Sequence, residues 1–432
     1  MSAAPFRSPR CTDVLPATDR PALPGPSRAI PLSLHLAMVG QYAVGGAFLP
    51  FVSLHFLDLG VEYSELGWIF LSSSAVSATV PFLGGVVADR WVSAERLYAW
   101  LHLAGALLLA VLALLDSFPG VLVGFVLVCA AYHPTSSILS AISYHNLASP
   151  ESQFAKLRLW GSIGWILPSI PIYLWLLGGG PSGLRFTLWI AAALELLLAA
   201  CAIGLPRTPP GSRHLDPAGG VLPYGAALRT ILRRIDFLGL LAVSFLMQSA
   251  FTLLFYYSPP HLEVAGIPRS WIGPVQCLGV VAEVPLFFLL PRIIARLGYR
   301  RTIGIGCMAL FARHLIYAVT LEPWILVSSW ILAGVCVVFY LTGISLSVNS
   351  MAERSIRATA QTMIVIAGPG LGQMFGHRIA ARLASSSGGD LRPVFIFAAA
   401  CAGVAFAIVL AARFRRRPPS AAGPEKQEER KA

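Results

Sequence analysis

The chain has 432 residues, of which 56% are apolar and only 12% are charged. A soluble domain carries roughly 25% charged residues, so this composition argues against a cytosolic enzyme, a nucleic-acid-binding protein or a secreted scaffold. The formal net charge of +12 arises from basic residues that lie mostly in loops and tails. Because a membrane helix needs about 20 mostly apolar residues, the chain has room for about a dozen spans.

Twelve apolar windows, each bounded by charges or by Pro and Gly clusters, predict an all-α membrane protein with twelve transmembrane helices. The windows lie near 31–57, 64–88, 94–115, 119–143, 156–178, 183–205, 236–258, 270–292, 300–320, 323–347, 358–382 and 391–413. A segment with Pro and Gly pairs and five arginines interrupts this pattern after the sixth window. The predicted organisation is a tail at 1–30, a six-helix bundle at 31–205, a linker at 206–235, a second six-helix bundle at 236–413 and a basic tail at 414–432.

The distribution of basic residues predicts the orientation of the chain in the membrane. Of the 32 Lys and Arg, 26 fall on the side of the two tails and the linker, five fall on the opposite side, and Arg313 lies inside a span. The positive-inside rule therefore places both termini and the linker in the cytoplasm. The basic tails need no nucleic-acid partner to explain them, and we expect a monomer in the lipid bilayer.

The seven cysteines show no metal-ligand spacing, so neither a metal site nor a disulfide framework is expected. The first thirty residues lack an apolar core, so no cleaved signal peptide is expected. The chain contains no P-loop and no dinucleotide-binding glycine motif. The sequence therefore predicts no cofactor and gives no support to ATP-driven transport.

Two sets of six spans joined by a basic loop resemble the layout of the major facilitator transporters. The end of the second span, Gly84 to Arg90, also resembles the G-x-x-x-D-R signature of that superfamily. Asp89 and Arg90 would lie at the cytoplasmic edge, where they can pair with the opposite half and act as a gate. The alternative is simple interfacial anchoring. The equivalent place after span 8 has Ala295 where the acid would be, so only the first copy keeps the full charge pair.

Glu283 lies about midway along span 8, between Gly279 and Pro285. An ionised carboxylate at that depth costs at least about 2.5–3.5 kcal/mol on insertion scales, so it should face a cavity or a partner. Such a carboxyl can hold and release a proton or bind a substrate. The alternative is a structural carboxyl that is bonded to a neighbouring helix.

Three polar or aromatic side chains share one face of span 5. Arg158, Ser162 and Trp165 recur at i, i+4 and i+7, whereas Gly161 and Gly164 lie off that stripe and suit close helix packing. A cation, a hydroxyl and a flat ring on one face can hold a polar planar solute. The alternative is an arginine that extends to the cytoplasm beside an interfacial tryptophan, and the stripe alone does not decide between the two.

Other polar residues inside the spans have structural interpretations. Arg313, His314 and Glu195 are expected to form interhelical charge pairs, and His102 and His133 are expected to be packed and hydrogen-bonded. Five glutamines are candidate cavity donors, although polar side chains also hold helices together. They are Gln41, Gln248, Gln276, Gln361 and Gln373.

Several segments, in the right order along nearly the whole chain, resemble the bacterial nucleoside:proton symporters of the major facilitator superfamily. The segment GGVVADRWVSAERLYAWLHLAGALLL at 84–109 looks like their span 2–3 region. The segment at 158–165 is similar to their R-x-W-G-T-I-G-[FW] motif. Further matches are Pro134-Thr135, the run 141–144, Ala282-Glu283, Arg313 and the run 356–361.

This resemblance implies uptake of a nucleoside coupled to inward proton flow across a bacterial inner membrane. In that family the arginine, hydroxyl and aromatic of span 5 contribute to the nucleoside site, and the span 8 glutamate faces them. Carried over by position, these residues are Arg158, Ser162, Trp165 and Glu283, with Glu283 as the proton-coupling group. The ribose can bond Glu283 and a glutamine such as Gln248, and the base can stack on Trp165 or Tyr340.

Two departures from the family leave the substrate open. Val280 stands where the family has a glutamine, and Val338 lies near the place of an acidic residue in span 10. Loss of polar groups weakens a site built for a polar solute. An alternative substrate is another small metabolite such as an aromatic carboxylate, which would pair with Arg158. Two other classes of protein are less favoured. A non-transporting sensor would need a signalling domain, and an enzyme would need a paired nucleophile and base. The sequence shows neither feature.

Overall fold

The computed structural model describes residues 29–180, 183–210, 229, 231–352 and 356–411, apart from the side chains of residues 89, 150–152, 155, 357 and 358. Most of the predicted tail 1–30, all of the predicted tail 414–432 and most of the predicted linker, 206–235, therefore lie outside the described residues. All regular secondary structure within the described ranges is helical.

Within the part of the chain that the structure describes, the helices cross the molecule twelve times, as the apolar windows predict. The crossings are α1 (Leu32–Asp58), α2 (Tyr63–Arg90), α3 (Ala94–Leu112), α4 (Phe118–Asn146), α5 (150–177), α6 (Arg185–Cys201), α7 (Ile235–Tyr256), α8 (272–297), α9 (299–319), α10 (Pro323–Met351), α11 (357–386) and α12 (Arg392–Ala411). Among the described residues, ten helical segments are long and apolar enough to span a membrane, and one of them, Arg269–Val319, contains both α8 and α9. The more polar α11 carries three arginines, Arg357, Arg378 and Arg382.

A single glycine separates α8 from α9. Gly298 has φ 76° and ψ 167°, a backbone conformation that a residue with a Cβ rarely adopts. The chain reverses there without a long loop. The Thr302 hydroxyl donates a hydrogen bond to the Gly298 carbonyl at 2.9 Å. A long apolar segment is thereby divided into two membrane-spanning lengths.

Close helix packing in the first set of six depends on small residues. The helices α1 and α5 touch where Gly46 meets the Trp165 carbonyl and Gly164 meets the Val39 carbonyl. A Cβ at either glycine would collide with the facing backbone. The expectation that Gly164 serves close packing is therefore confirmed, and this packing fixes the depth at which α5 presents its polar stripe.

On one side of the molecule, side chains of the first six helices contact side chains of the last six. We call this the loop side: it carries the ends of α1, α5, α7, α9 and α11 and the start of α2. Arg269 donates from Nη1 and Nη2 to both carboxylate oxygens of Asp58, at 2.7 and 2.8 Å, and from Nε to Glu263 at 2.6 Å. Nearby, the ring of Phe70 in α2 lies 4.2 Å from the ring of Tyr256 in α7. The molecule is thus closed on the loop side.

Two buried charges have different surroundings. Glu195 in α6 is hydrogen-bonded to His102 in α3, and both are almost fully buried, so Glu195 has an interhelical partner as expected, while its pairing as two charges stays a prediction. The expected charge pair of Arg313 is wrong, because no described carboxylate lies within ion-pair distance of it. Its guanidinium carbon lies 4.3 Å from the ring centres of both Tyr317 and Trp330. Aromatic faces attract a cation and here replace an acidic partner.

Candidate substrate cavity

A cavity of about 160 Å³ lies between the two sets of helices. Its walls come from α1 and α5 of the first set and from α7, α8 and α10 of the second. One water needs about 10–15 Å³, so the space is an order of magnitude larger. Four of the six predicted substrate-binding residues line it, namely Arg158, Ser162, Trp165 and Glu283.

The polar stripe of α5 faces this cavity along its whole length. Arg158 is exposed, and its guanidinium carbon lies 4.0 Å from the ring centre of Tyr42 in α1. This cation–π contact directs the guanidinium toward the cavity. Ser162 and Trp165 follow at one-turn intervals on the same face. The sequence did not single out Tyr42, because an isolated tyrosine in an apolar span gives no pattern.

Glu283 brings a carboxyl to the cavity from the second set of helices. It is the only acidic residue among the described residues that line the cavity. Arg158 attracts it electrostatically across the cavity, although the two do not form a direct ion pair. A cation and a carboxyl on opposite walls can bond a polar solute between them, and their attraction depends on whether the carboxyl carries a proton.

Aromatic rings cover the part of the cavity next to Trp165. The Trp165 ring lies edge-on to Phe255 at 6.2 Å, and Phe255 lies edge-on to Phe251 at 5.4 Å. Trp330 forms part of the wall contributed by α10. Such surfaces favour a flat, partly apolar group, since aromatic pairs prefer offset-stacked or edge-on contact.

Gln248 and Tyr340 do not line this cavity. Tyr340 is buried beside Gly306 and donates its hydroxyl to the Ser244 carbonyl at 3.4 Å. Gln248 packs against Gly368 in α11 and is only 6% exposed. Their contact with substrate stays a prediction.

The two valines that replace polar residues of the family lie in different surroundings. Val280 lines the cavity on the same wall as Glu283. Val338 is buried in an apolar cluster with Leu290 and Phe339. Only the first of these departures changes the surface of this cavity.

Among the candidate glutamines, Gln276 lines the cavity and the others whose contacts are known hold helices together. Gln41 donates to Thr135 at 2.8 Å, and Gln361 donates to the Ser345 carbonyl at 2.8 Å. In contrast, both polar atoms of the Gln276 amide are buried without a hydrogen-bond partner. The sequence could place glutamines in spans but could not rank them.

The predicted gate lies at the far end of α2 from the loop side. Arg90 is exposed at the last position of α2, whereas the Asp89 side chain is outside the described part of the chain. A Cβ at Gly84 would lie 3.0 Å from Pro134 in α4, so this glycine allows close helix approach. The gating role of Asp89 and Arg90 stays a prediction.

The chain resembles known transporters over most of its length. The profile of the nucleoside H+ symporter family matches residues 29–418. YegT of Escherichia coli (strain K12), named as a candidate nucleoside transporter, is 27% identical over 80% of this chain and 82% of its own. Nucleoside permease NupG of the same organism is 23% identical over 82% of this chain and 87% of its own.

A solved structure shares the fold. A crystal structure of a mutant of the nucleoside transporter NupG matches with a TM-score of 0.78 and 22% identity, covering 88% of this chain and 98% of that chain. This likeness confirms the predicted major facilitator fold. The family and these relatives are transporters and permeases, which confirms the expectation that the chain is no enzyme. With the family profile matched along nearly all of its length, the chain belongs to the nucleoside H+ symporter family.

Proposed function

We propose that this chain imports nucleosides together with protons by alternating access. The observation that carries the proposal is the shared cavity: Arg158, Ser162 and Trp165 from one set of helices face Glu283 from the other. A flat base fits against Trp165, and ribose hydroxyls can bond the charged groups. The alternative substrate, an aromatic carboxylate, is not favoured by the family to which the chain belongs.

Glu283 is the coupling group in this proposal. When its carboxyl is ionised, it attracts Arg158 across the cavity and so favours approach of the two walls. A proton on Glu283 removes that attraction and leaves Arg158 free to bond the solute. Protonation therefore changes the relative stability of the access states, which is the requirement for coupling a proton to a solute.

We further propose the predicted arrangement in the membrane. The chain lies as a monomer in a bacterial inner membrane, with both termini and the linker in the cytoplasm and with 31–205 and 236–413 as the two moving bundles. Asp89 and Arg90 then lie on the cytoplasmic side and act in its gate. Fusing a reporter active only in the cytoplasm to each terminus tests the orientation, and mass measurement in nanodiscs tests the monomer.

The coupling role of Glu283 is tested by uptake in cells that lack their own nucleoside carriers. Labelled uridine or adenosine should accumulate, and a protonophore should abolish the accumulation. Glu283→Gln should abolish accumulation while exchange across the membrane persists, whereas Glu322→Gln, in an exposed loop, should behave as wild type. Full accumulation by Glu283→Gln would contradict the proton-coupling role of Glu283.

The solute-binding role of Arg158 has a matched control on the same helix. Arg158→Gln should raise the KM for nucleoside at least about tenfold, because it removes a charged hydrogen-bond donor from the cavity. Lys156→Gln removes an exposed charge that does not line the cavity and should leave the KM unchanged. Equal effects of the two substitutions would contradict this role.

A further inference from the structure

A glutamine amide without a partner lies in the wall of the substrate cavity. Gln276 in α8 is 2% exposed, and neither Nε2 nor Oε1 has a hydrogen-bond partner. The residue nevertheless lines the cavity, on the same wall as Val280 and Glu283, which follow it by one and two helical turns.

A glutamine amide that joins helices can have both of its polar atoms hydrogen-bonded, although Gln248, which packs against Gly368 outside the cavity, has an unpaired Oε1. Gln41, the matched case in the first set, donates to Thr135 at 2.8 Å and accepts from Tyr98 at 3.0 Å. A buried donor or acceptor without a partner is costly, and buried polar groups are paired in the great majority of cases. The unpaired amide of Gln276 beside a solute cavity therefore points to a partner that the solute supplies.

The position of Gln276 along the helix indicates which part of the solute that would be. Gln276 and Glu283 are seven residues apart, or about 10 Å along α8. Arg158 and Trp165 have the same spacing on α5, which runs in the opposite sense through the molecule relative to α8. Trp165 and Gln276 thus share the level nearer the loop side, and Arg158 and Glu283 share the level nearer the other side.

The cavity consequently has two ends of different chemistry. The inner end, toward the closed loop side, combines the aromatic surface of Trp165 and Phe255 with the amide of Gln276. The outer end, away from the loop side, has the charged groups of Arg158 and Glu283. A nucleoside has the same division, with a flat base at one end and a hydroxyl-bearing sugar at the other.

We propose that Gln276 recognises the hydrogen-bonding edge of the nucleobase at the inner end of the cavity. Its Nε2 donates to a ring nitrogen or carbonyl of the base, while its Oε1 accepts from the adjacent N–H. A glutamine amide matches such an adjacent donor and acceptor, as in bidentate contact with adenine. The proposal rests on the proposed nucleoside function and adds that the base lies toward the loop side, with its polar edge on α8.

Nucleosides that differ only at this edge provide the test. Uptake of labelled uridine is measured against unlabelled uridine and 3-methyluridine, and uptake of labelled adenosine against adenosine and N6,N6-dimethyladenosine. The methylated compounds keep the ring and the sugar but lose the N–H that Oε1 would accept. In the wild type the methylated member of each transported pair should compete at least about tenfold more weakly, equivalent to about 1.4 kcal/mol.

Gln276→Met keeps the length of the side chain and removes the amide. It should bring the ratio between the methylated and unmethylated compounds close to one, whereas Gln361→Met, at an amide bonded to Ser345 outside the cavity, should leave the ratio unchanged. A merely structural defect in Gln276→Met would weaken both members of a pair equally and preserve the ratio.

Two results would overturn the proposal while leaving the nucleoside function intact. One is a wild-type protein for which both members of a pair compete equally well, a result that needs no variant to fold. The other is a Gln276→Met variant that keeps the wild-type ratio. If the wild type takes up neither uridine nor adenosine, the proposed function itself fails, and the role of Gln276 fails with it.

Discussion

The ion pair that closes the loop side gives a quantitative prediction for the equilibrium between access states. Arg269 joins Asp58 of the first set through two hydrogen bonds, and both side chains are a little over one-third exposed. Exposed ion pairs contribute about 0.2–1 kcal/mol, and the two-bond geometry favours the upper end of that range. Asp58→Asn should therefore shift the equilibrium by about 1 kcal/mol, or about fivefold, toward states open on the loop side.

Distances between spin labels measure this shift directly. Labels at Leu177 and Val319, exposed at the loop-side ends of α5 and α9, report the separation of the two sets in a cysteine-free background. Asp58→Asn should increase the long-distance population about fivefold. Asp116→Asn is the matched control, because its partner Arg185 belongs to the same set of helices.

Two outcomes would refute this reasoning about the loop side. If Asp58→Asn leaves the distance distribution unchanged, the pair of Asp58 with Arg269 does not hold the two sets together. If Asp116→Asn causes a shift of equal size, the effect is one of general surface charge and not of a contact between the sets.

Two further predictions concern stability, measured as thermal unfolding in detergent. Gly164→Ala should destabilise the protein by about 1–3 kcal/mol, because its Cβ would collide with the Val39 carbonyl, whereas Gly239→Ala faces open space and should be neutral or stabilising. Equal melting temperatures for the two variants would contradict the packing of α1 on α5. Glu195→Ala should cost about 1–3 kcal/mol because it leaves the buried His102 ring without its hydrogen-bond partner, and wild-type stability would contradict that account.

Most of the fold could be predicted from the sequence because the membrane restricts what the chain can do. A bilayer fixes the length of a span, and unpaired backbone groups in lipid force each span to be helical. The predicted windows consequently fall within a few residues of the observed helices. The window at 270–292 illustrates the limit: α8 continues to residue 297, since Gly298 and not the nearest charge ends it.

The site could be predicted only in part. The period of an α-helix was enough to place Arg158, Ser162 and Trp165 on one face, because α5 is regular through that stripe. In α10 a π-helical turn covers Val337–Thr342, which changes the direction of successive side chains. Val337 lines the cavity while Tyr340 packs against Gly306, and periodicity alone cannot foresee that.

Partners of buried polar groups were the other feature beyond sequence reasoning. A charge inside a span predicts a partner of some kind, but it does not say which kind. Arg313 has aromatic rings where a carboxylate was expected. The Gln276 amide has no hydrogen-bond partner, although a neighbouring helix could have supplied one. Such pairings depend on contacts between helices that are far apart in the sequence.

Transport by the purified protein in liposomes tests the central claim most directly. With an inwardly directed proton gradient as the only energy source, labelled uridine or adenosine should accumulate above its external concentration, and the accumulation should collapse when the gradient is dissipated. Glu283→Gln should equilibrate the nucleoside without concentrating it. Equal accumulation with and without the gradient, or undiminished accumulation by Glu283→Gln, would contradict proton-coupled nucleoside import through this site.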